Sequence, residues 1–304
     1  MCNETASGQR SWFTLAPFLF LLLWSGGFPA MKIGIDHADP FFLLFLRYFF
    51  SVLLLAPAFL IIRPPLPANG RQWFHLVMTG ILLQVIYFSL CYTSVFMGIS
   101  PGALALILSM QPILIGMFAP MVARETVTLL HWLGLALGLG GAVVVIMSRS
   151  TIEAHSTAGI IFAILSLISM TAATLYEKRF GTRQHPVTSN LVQYVVATAC
   201  MLPIAFFAGD MHVDWAPPLI SVLVYLVVCN SIVSISLLMA LIRRGQASKV
   251  SALFFLVPPV AAILSWIIIG EHMPLIAWGG MAVAALGVAI VSNPGMFTRS
   301  KSAE

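Results

Sequence analysis

Between Trp12 and Ser292 the chain repeats one pattern ten times: about twenty consecutive apolar residues, then a short stretch holding proline, glycine and charge. A bilayer core about 30 Å thick takes about 20 residues of helix per crossing. Ten crossings therefore consume nearly all of the 304 residues and leave none for a separate soluble domain. Charged residues make up 8% of the chain and apolar ones 60%, whereas roughly a quarter of a soluble domain is charged. The runs lack the alternation of barrel strands, and a helix satisfies its own backbone hydrogen bonds in lipid. The sequence predicts an all-α integral membrane protein of ten transmembrane helices.

Proline, glycine and charge place the first five spans near Trp12–Gly34, Pro40–Ile62, Trp73–Phe96, Pro101–Val122 and Leu129–Met147. The second five fall near Ala158–Glu177, Val187–Ala208, Pro217–Leu241, Ala247–Ile269 and Leu275–Ser292. The first run is too long for a signal-peptide core and reaches Lys32 without a small-x-small cleavage pattern, so it is read as a span. The cysteines, Cys2, Cys91, Cys200 and Cys229, have no paired spacing and read as small core residues rather than metal or disulfide positions.

The net charge of +5 is scattered over short loops and forms no stripe for nucleic acid. With the amino terminus inside, one side holds Arg10, Arg63, Arg71, Arg124, Lys178, Arg179, Arg183, Arg243, Arg244, Lys249, Arg299 and Lys301, twelve of the fifteen basic residues. Lys32 and Arg149 fall on the other side and Arg47 lies within the second span. The positive-inside rule then places both termini in the cytoplasm of an inner, or plasma, membrane.

Sliding the chain against itself by 146 positions aligns Lys32 with Lys178, Pro40 with Pro186, Tyr48 with Tyr194, and Pro57 with Pro203. The same register aligns Pro112 with Pro258, Glu125 with Glu271, Trp132 with Trp278, Gly134 with Gly280, and Gly141 with Gly287. Leu- and Ala-rich helices resemble one another by composition, but matched Lys, Glu, Trp and Pro do not arise that way. Two units follow, 1–150 and 151–304, each of five helices. An odd number makes the second unit enter the membrane in the opposite sense, the inverted repeat of secondary transporters.

The segment Leu23-Trp24-Ser25-Gly26-Gly27-Phe28-Pro29-Ala30-Met31-Lys32 resembles the first-helix signature of the EamA-type drug/metabolite transporter superfamily, which usually reads LWGSNF before a helix-ending Lys. Tyr92-Thr93-Ser94, the Pro112 helix, and Glu125 followed by Trp132 and Gly134 are similar too, and Pro258, Glu271 and Trp278-Gly279-Gly280 return in the second half. The resemblance covers essentially the whole chain. It implies a central cavity between the halves and efflux of metabolites, amino acids or their derivatives as the usual activity. Here Ser-Gly-Gly stands where the usual motif has Gly-Ser-Asn, so that Asn side chain is absent.

A polar side chain at mid-depth is costly and faces the bundle interior or a wet cavity. Gln84, Tyr87 and Cys91 follow helical spacing in the third span, as do Asn230 and Ser234 in its repeat partner, the eighth. The two faces are expected either to oppose each other across a cavity or to hold helices together by hydrogen bonds. Gln111 precedes Pro112, and Pro258-Pro259 interrupt the matching ninth span; the freed carbonyls near Leu108 and Phe254 bind substrate or mark a packing kink. Trp24, Phe254 and Phe255 offer aromatic surface to a substrate or fill core. Thr171 and Tyr176 are the inverted counterparts of the Trp24 region and join the cavity candidates by symmetry.

Arg47 lies about two turns into its span. Snorkelling outward toward Asp36 or Asp39 is the favoured reading, and binding a substrate carboxylate the sharper one. Gly26-Gly27 and the Gly134, Gly138 and Gly141 series read as sites of close helix contact. Glu125 and Glu271 read as helix-start residues, with a gating ion pair as the other possibility.

All ten acidic residues and all seven histidines fall in tails, in loops or at span ends, which predicts facilitated or exchange-like transport without a mid-depth proton relay. No nucleophile–base pair, metal spacing or filter motif speaks for an enzyme, a metal or cofactor site, or a channel. The expected protein is a monomeric or homodimeric carrier with a small-molecule substrate and the lipid bilayer as partners. Efflux of drug-like amphipathic compounds is the nearer alternative, and a structural or assembly protein the more distant one.

Overall fold

The computed structural model describes residues 4–124, 127–149, 156–181, 184–244, 250–269 and 274–292. Eight of the described helices are long and apolar enough to cross a membrane: Leu15–Ile35, Pro40–Ile62, Gly70–Phe96, Pro101–Val122, Thr157–Phe180, Pro186–Ala208, Pro217–Arg243 and Leu275–Ser292. Shorter apolar helices at Leu129–Val145 and Ala252–Ala261 complete the expected ten. They are numbered here as spans 1 to 10 in chain order. Glu125, Glu271 and Cys2, discussed above, lie outside the described residues.

Local chemistry sets where spans begin. Asp39 accepts from the backbone N–H groups of Phe41 and Phe42, both at 2.9 Å, just before Pro40. Ser100 caps the helix opened by Pro101, Ser156 caps span 6, and Asn69 caps span 3. Each supplies an acceptor to first-turn N–H groups that have no helical partner. Proline at the first helical position loses nothing, because its missing N–H would be unpaired there.

Spans 1, 3, 5, 7 and 9 start at one face of the bundle, called here the amino-terminal face, and the even spans start at the opposite face. Large apolar side chains such as Ile61, Leu129, Phe207 and Leu275 stay on the outside, while Arg47, Gln84, Gln193 and Asn230 are buried. That inversion of the soluble-protein pattern is what lipid as the outer solvent dictates.

The two halves repeat in backbone detail as well as sequence. Span 3 contains a π-helical stretch at Ile81–Tyr87, and span 8 contains one at Leu226–Ser234. Adding 146 to 81 and 87 gives 227 and 233, inside the second stretch. Span 4 breaks at Ser109 and Met110 before Gln111-Pro112, and span 9 tightens into a 3-10 turn at Ala252–Leu256 before Pro258-Pro259. Span 1 departs from the symmetry: it breaks at Gly26, between helices ending at Ser25 and starting at Gly27, while span 6 runs unbroken from Thr157 to Phe180.

Spans 5 and 10 meet along small residues. A Cβ on Gly141 would lie 2.3 Å from the Ala284 nitrogen, and one on Gly287 would lie 2.4 Å from the Gly138 nitrogen. The glycines therefore permit backbone-to-backbone approach, the source of attraction between helices where water supplies no hydrophobic force. Spans 2 and 7 form the other tight pair, with Tyr48 stacked on Tyr194. Their flanking loops are joined at the opposite face by the bridge between Ala38 and Val213.

Candidate functional site

Span 1 breaks for two reasons. Pro29 has no N–H to give the Ser25 carbonyl, and Gly26-Gly27 leaves the turn before it unprotected by side chains. The Leu23 carbonyl at this break accepts instead from span 8, from the Tyr225 hydroxyl at 2.7 Å and the Asn230 amide at 3.3 Å. Glycine at 27 leaves room for that amide, since a Cβ there would lie 2.6 Å from the Asn230 nitrogen and displace it.

The other end of the Asn230 side chain holds Arg47. Its Oδ1 accepts from Nη2 of Arg47 at 2.7 Å, and Ser231 Oγ accepts from Nε at 2.6 Å. The guanidinium carbon stands 4.2 Å from the Phe88 ring centroid and 5.7 Å from that of Tyr48. The residue is 1% exposed, and among the described residues no carboxylate pairs with it. Snorkelling is thus corrected. Lys32 engages Asp36, and Asp39 spends its oxygen on the helix start, so neither draws Arg47 outward. Removing a cation from water costs several kcal/mol even after relaxation, and two neutral acceptors and two rings offset only part of it.

Arg47 forms one wall of a slot bounded also by Trp24, Gly27, Phe28 and Met31 of span 1, Tyr87, Phe88, Cys91 and Tyr92 of span 3, Leu104 of span 4, and Asn230. Trp24 and Tyr87 are near-parallel at 16° with centroids 6.4 Å apart. Toward the amino-terminal face Trp24 packs edge-on against Phe254 at 5.6 Å, and Phe20 adds a third ring at 5.7 Å from Phe254. The free volume is about 30 Å³, room for no more than a few water molecules. A larger solute fits only if these walls separate.

Of the ten residues singled out by sequence, the slot brings together Trp24, Arg47, Tyr87 and Asn230, with Phe254 closing it from below. The rest lie elsewhere. Gln84 does not share the slot face with Tyr87 and Cys91, because the π-helical stretch widens the turn and breaks the spacing on which that expectation stood. It is fully buried near Tyr194, with neither amide atom hydrogen-bonded at good geometry. Ser234 is fully buried, its hydroxyl without a hydrogen-bond partner, and does not line the slot. Gln111 donates to Thr174 Oγ1 at 3.0 Å, a span 4 to span 6 bond, and Thr171 bonds back to the Leu167 carbonyl. Tyr176 sits at the amino-terminal face, its hydroxyl 2.7 Å from His75 Nδ1. Phe255 is core: it fills the space that a side chain on Gly138 would need.

Sequence reading missed Phe28, Met31, Phe88, Tyr92, Leu104 and Ser231. Phe28 and Met31 follow Trp24 by four and seven residues, a helical face that could have been traced from it. Ser231 carries no such signal in the sequence.

An inverted repeat of ten helices, jacketed in apolar side chains and gathering polar groups round a central slot, defines a multi-pass membrane transporter. The model of the EamA-like transporter family matches residues 11–147 and again 157–293, and the chain belongs to that family. It is 23% identical over 276 residues to an uncharacterized transporter of Bacillus subtilis, YvbV, covering 90% of this chain and 89% of that one. An uncharacterized inner membrane transporter of Escherichia coli, YedA, is 23% identical over 283 residues, 91% and 89% of the two chains. A protein of Escherichia coli named a probable amino-acid metabolite efflux pump is 22% identical over 284 residues, 90% and 92% of the chains. One solved crystal structure shares the fold at a TM-score of 0.77 and 18% identity, covering 94% of this chain and 98% of that one.

Proposed function

We propose that this protein is an inner-membrane secondary carrier that exports a small carboxylate-bearing metabolite, such as an amino acid or derivative, by alternating access. The observation that carries the reading is Arg47: a buried cation on the wall of an aromatic slot, with no carboxylate beside it among the described residues. A substrate carboxylate supplies the missing negative charge and accepts from the guanidinium in the two-pronged geometry that arginine favours. Trp24, Phe28 and Tyr87 then cover an apolar body, and Asn230 and Ser231 hold the guanidinium in place. The relative named as an amino-acid metabolite efflux pump supports the class of substrate and the direction. The charge distribution supports a cytoplasmic location for the amino-terminal face and both termini.

Thermal unfolding of the purified protein with phenylacetate, phenylethanol and phenethylamine tests this. The carboxylate is expected to stabilise the wild type and to lose its effect in Arg47→Gln. Equal stabilisation by the neutral or cationic compound would reject the carboxylate reading and favour efflux of general amphipathic compounds.

A further inference from the structure

The only described carboxylate buried among the helices lies well away from Arg47. Glu177, in the last turn of span 6, is 2% exposed although it sits near the amino-terminal face. One oxygen accepts from Nε of Arg243 in span 8, and the other accepts from Thr79 Oγ1 of span 3 at 3.1 Å. Arg243 also donates to Ser189 Oγ at 3.0 Å and to the Gln184 carbonyl at 3.2 Å, at the start of span 7. One ion pair thus ties spans 3, 6, 7 and 8 together at a single depth.

The internal repeat shows what this cluster is not matched by. Subtracting 146 from 177, 243 and 189 gives Met31, Met97 and Leu43; adding it to 79 gives Tyr225. The corresponding positions at the opposite face are apolar, apart from the Tyr225 hydroxyl, which is committed to Leu23. Met31 moreover lines the Arg47 slot. Where one half is tied by a charge pair, the counterpart of Glu177 in the other half is a wall of the slot.

A second observation concerns the surroundings of the pair. Arg243, with Gln184, Ser189, Asn190 and Ser236, borders a cavity of about 600 Å³ at the amino-terminal face. The cavity runs inward from Arg243 as far as Asn190 and Ser236, about two helical turns into the bundle, so solute has access to the arginine of the pair.

We propose that Glu177 and Arg243 form a one-sided latch: their pairing holds the amino-terminal face shut, and the transporter opens there only when they separate. Among the described residues the opposite face has no such buried charge pair, its loops meeting instead through the exposed His37 and Asp214 and the bridge between Ala38 and Val213, and the apo protein rests with the Arg47 slot closed off from the amino-terminal face. Separation must leave each charge with water or solute in place of its partner, which the 600 Å³ cavity supplies for Arg243. The inference concerns gating and does not depend on which substrate is carried.

Cys91, a thiol already in the slot, is the reporter. With Cys2, Cys200 and Cys229 replaced by serine, its reaction with a small membrane-impermeant methanethiosulfonate is timed from each face of oriented vesicles. Glu177→Gln and Arg243→Gln are expected to raise the rate from the amino-terminal face by about tenfold or more and to lower it from the opposite face, as a shift between two states requires. The exchange Glu177→Arg with Arg243→Glu is expected to bring both rates back toward the parent values. If a single variant does not fold, Thr79→Val, which removes only the hydroxyl bonded to Glu177, is expected to raise the amino-terminal-face rate by a smaller factor. Unchanged rates, a rise from both faces together, or no recovery in the exchanged pair would overturn the latch.

Discussion

Tyr48 and Tyr194, one repeat unit apart, stack ring on ring at the meeting of the two halves, with centroids 5.8 Å apart and an angle of 18°. Each reaches across to the π-helical stretch of a neighbouring span. Tyr48 donates to the Gln84 carbonyl at 2.6 Å, and Tyr194 donates to the Ser231 carbonyl. A π turn shifts the helical ladder and leaves a carbonyl short of its usual partner, and in lipid no water can replace it. The tyrosines satisfy what the π turns expose.

Removing either hydroxyl should therefore cost stability without enlarging any cavity. Tyr48→Phe and Tyr194→Phe are each expected to destabilise by about 1–3 kcal/mol, the cost of an unsatisfied buried acceptor. Thermal unfolding in detergent measures this. Variants as stable as the wild type would show that the carbonyls find other donors.

Asn230 and Gln84 occupy the same position in the two halves, yet only Asn230 touches the slot. Asn230→Ala is expected to cut export strongly, by about tenfold or more, since it frees one arm of Arg47 and misaligns it. Gln84→Ala should change the KM for export by less than about twofold, with any effect confined to stability. Export assays in cells, normalised to folded protein, separate the two. Equal losses would place Gln84 in the substrate's path after all.

Arg47→Met removes a buried charge while keeping an unbranched chain. Because a buried ion without a full partner stabilises little, the variant is expected to match or exceed the wild type in unfolding temperature while losing transport of carboxylates. A large loss of stability would mean that the guanidinium serves chiefly to join spans 2 and 8.

At the interface of spans 5 and 10, neighbouring glycines should respond in opposite ways. Gly141→Val and Gly287→Val drive a side chain into backbone atoms and are expected to abolish folded protein, whereas Gly140 and Gly279 face open space. Alanine at either of the latter should be neutral or stabilise by up to about 1 kcal/mol, the helix-propensity gain over glycine. Yield of monodisperse protein on gel filtration reads out both.

With no described carboxylate at mid-depth, efflux is expected to persist when the pH gradient is collapsed and the substrate gradient retained. Complete loss of transport in vesicles treated this way would require a proton path, for which Glu177 would be the first residue to examine.

Ten helices, their approximate ends and their duplication were legible in the sequence, because lipid imposes a length, an apolar surface and intact backbone pairing on every crossing. Pro40, Pro101 and Pro217 marked helix starts to the residue, since a ring without an N–H is harmless only there. Trp24, Tyr87 and Asn230 were recognisable as polar or aromatic groups at depth. What misled was periodicity: Gln84 was placed by counting 3.6 residues per turn through a stretch that does not keep that count.

Sequence alone determined that this is an inverted-repeat membrane protein, for those constraints act on each segment separately and leave their mark in local composition. Tertiary structure alone decided that Arg47 turns inward to Asn230 and Ser231, and that Glu177 meets Arg243 across 66 positions of chain. Both depend on which helices lie side by side and on how π turns rotate their faces. A charge at a given depth looks the same in sequence whether it points to lipid headgroups or to a partner, and only the neighbouring helix chooses between them.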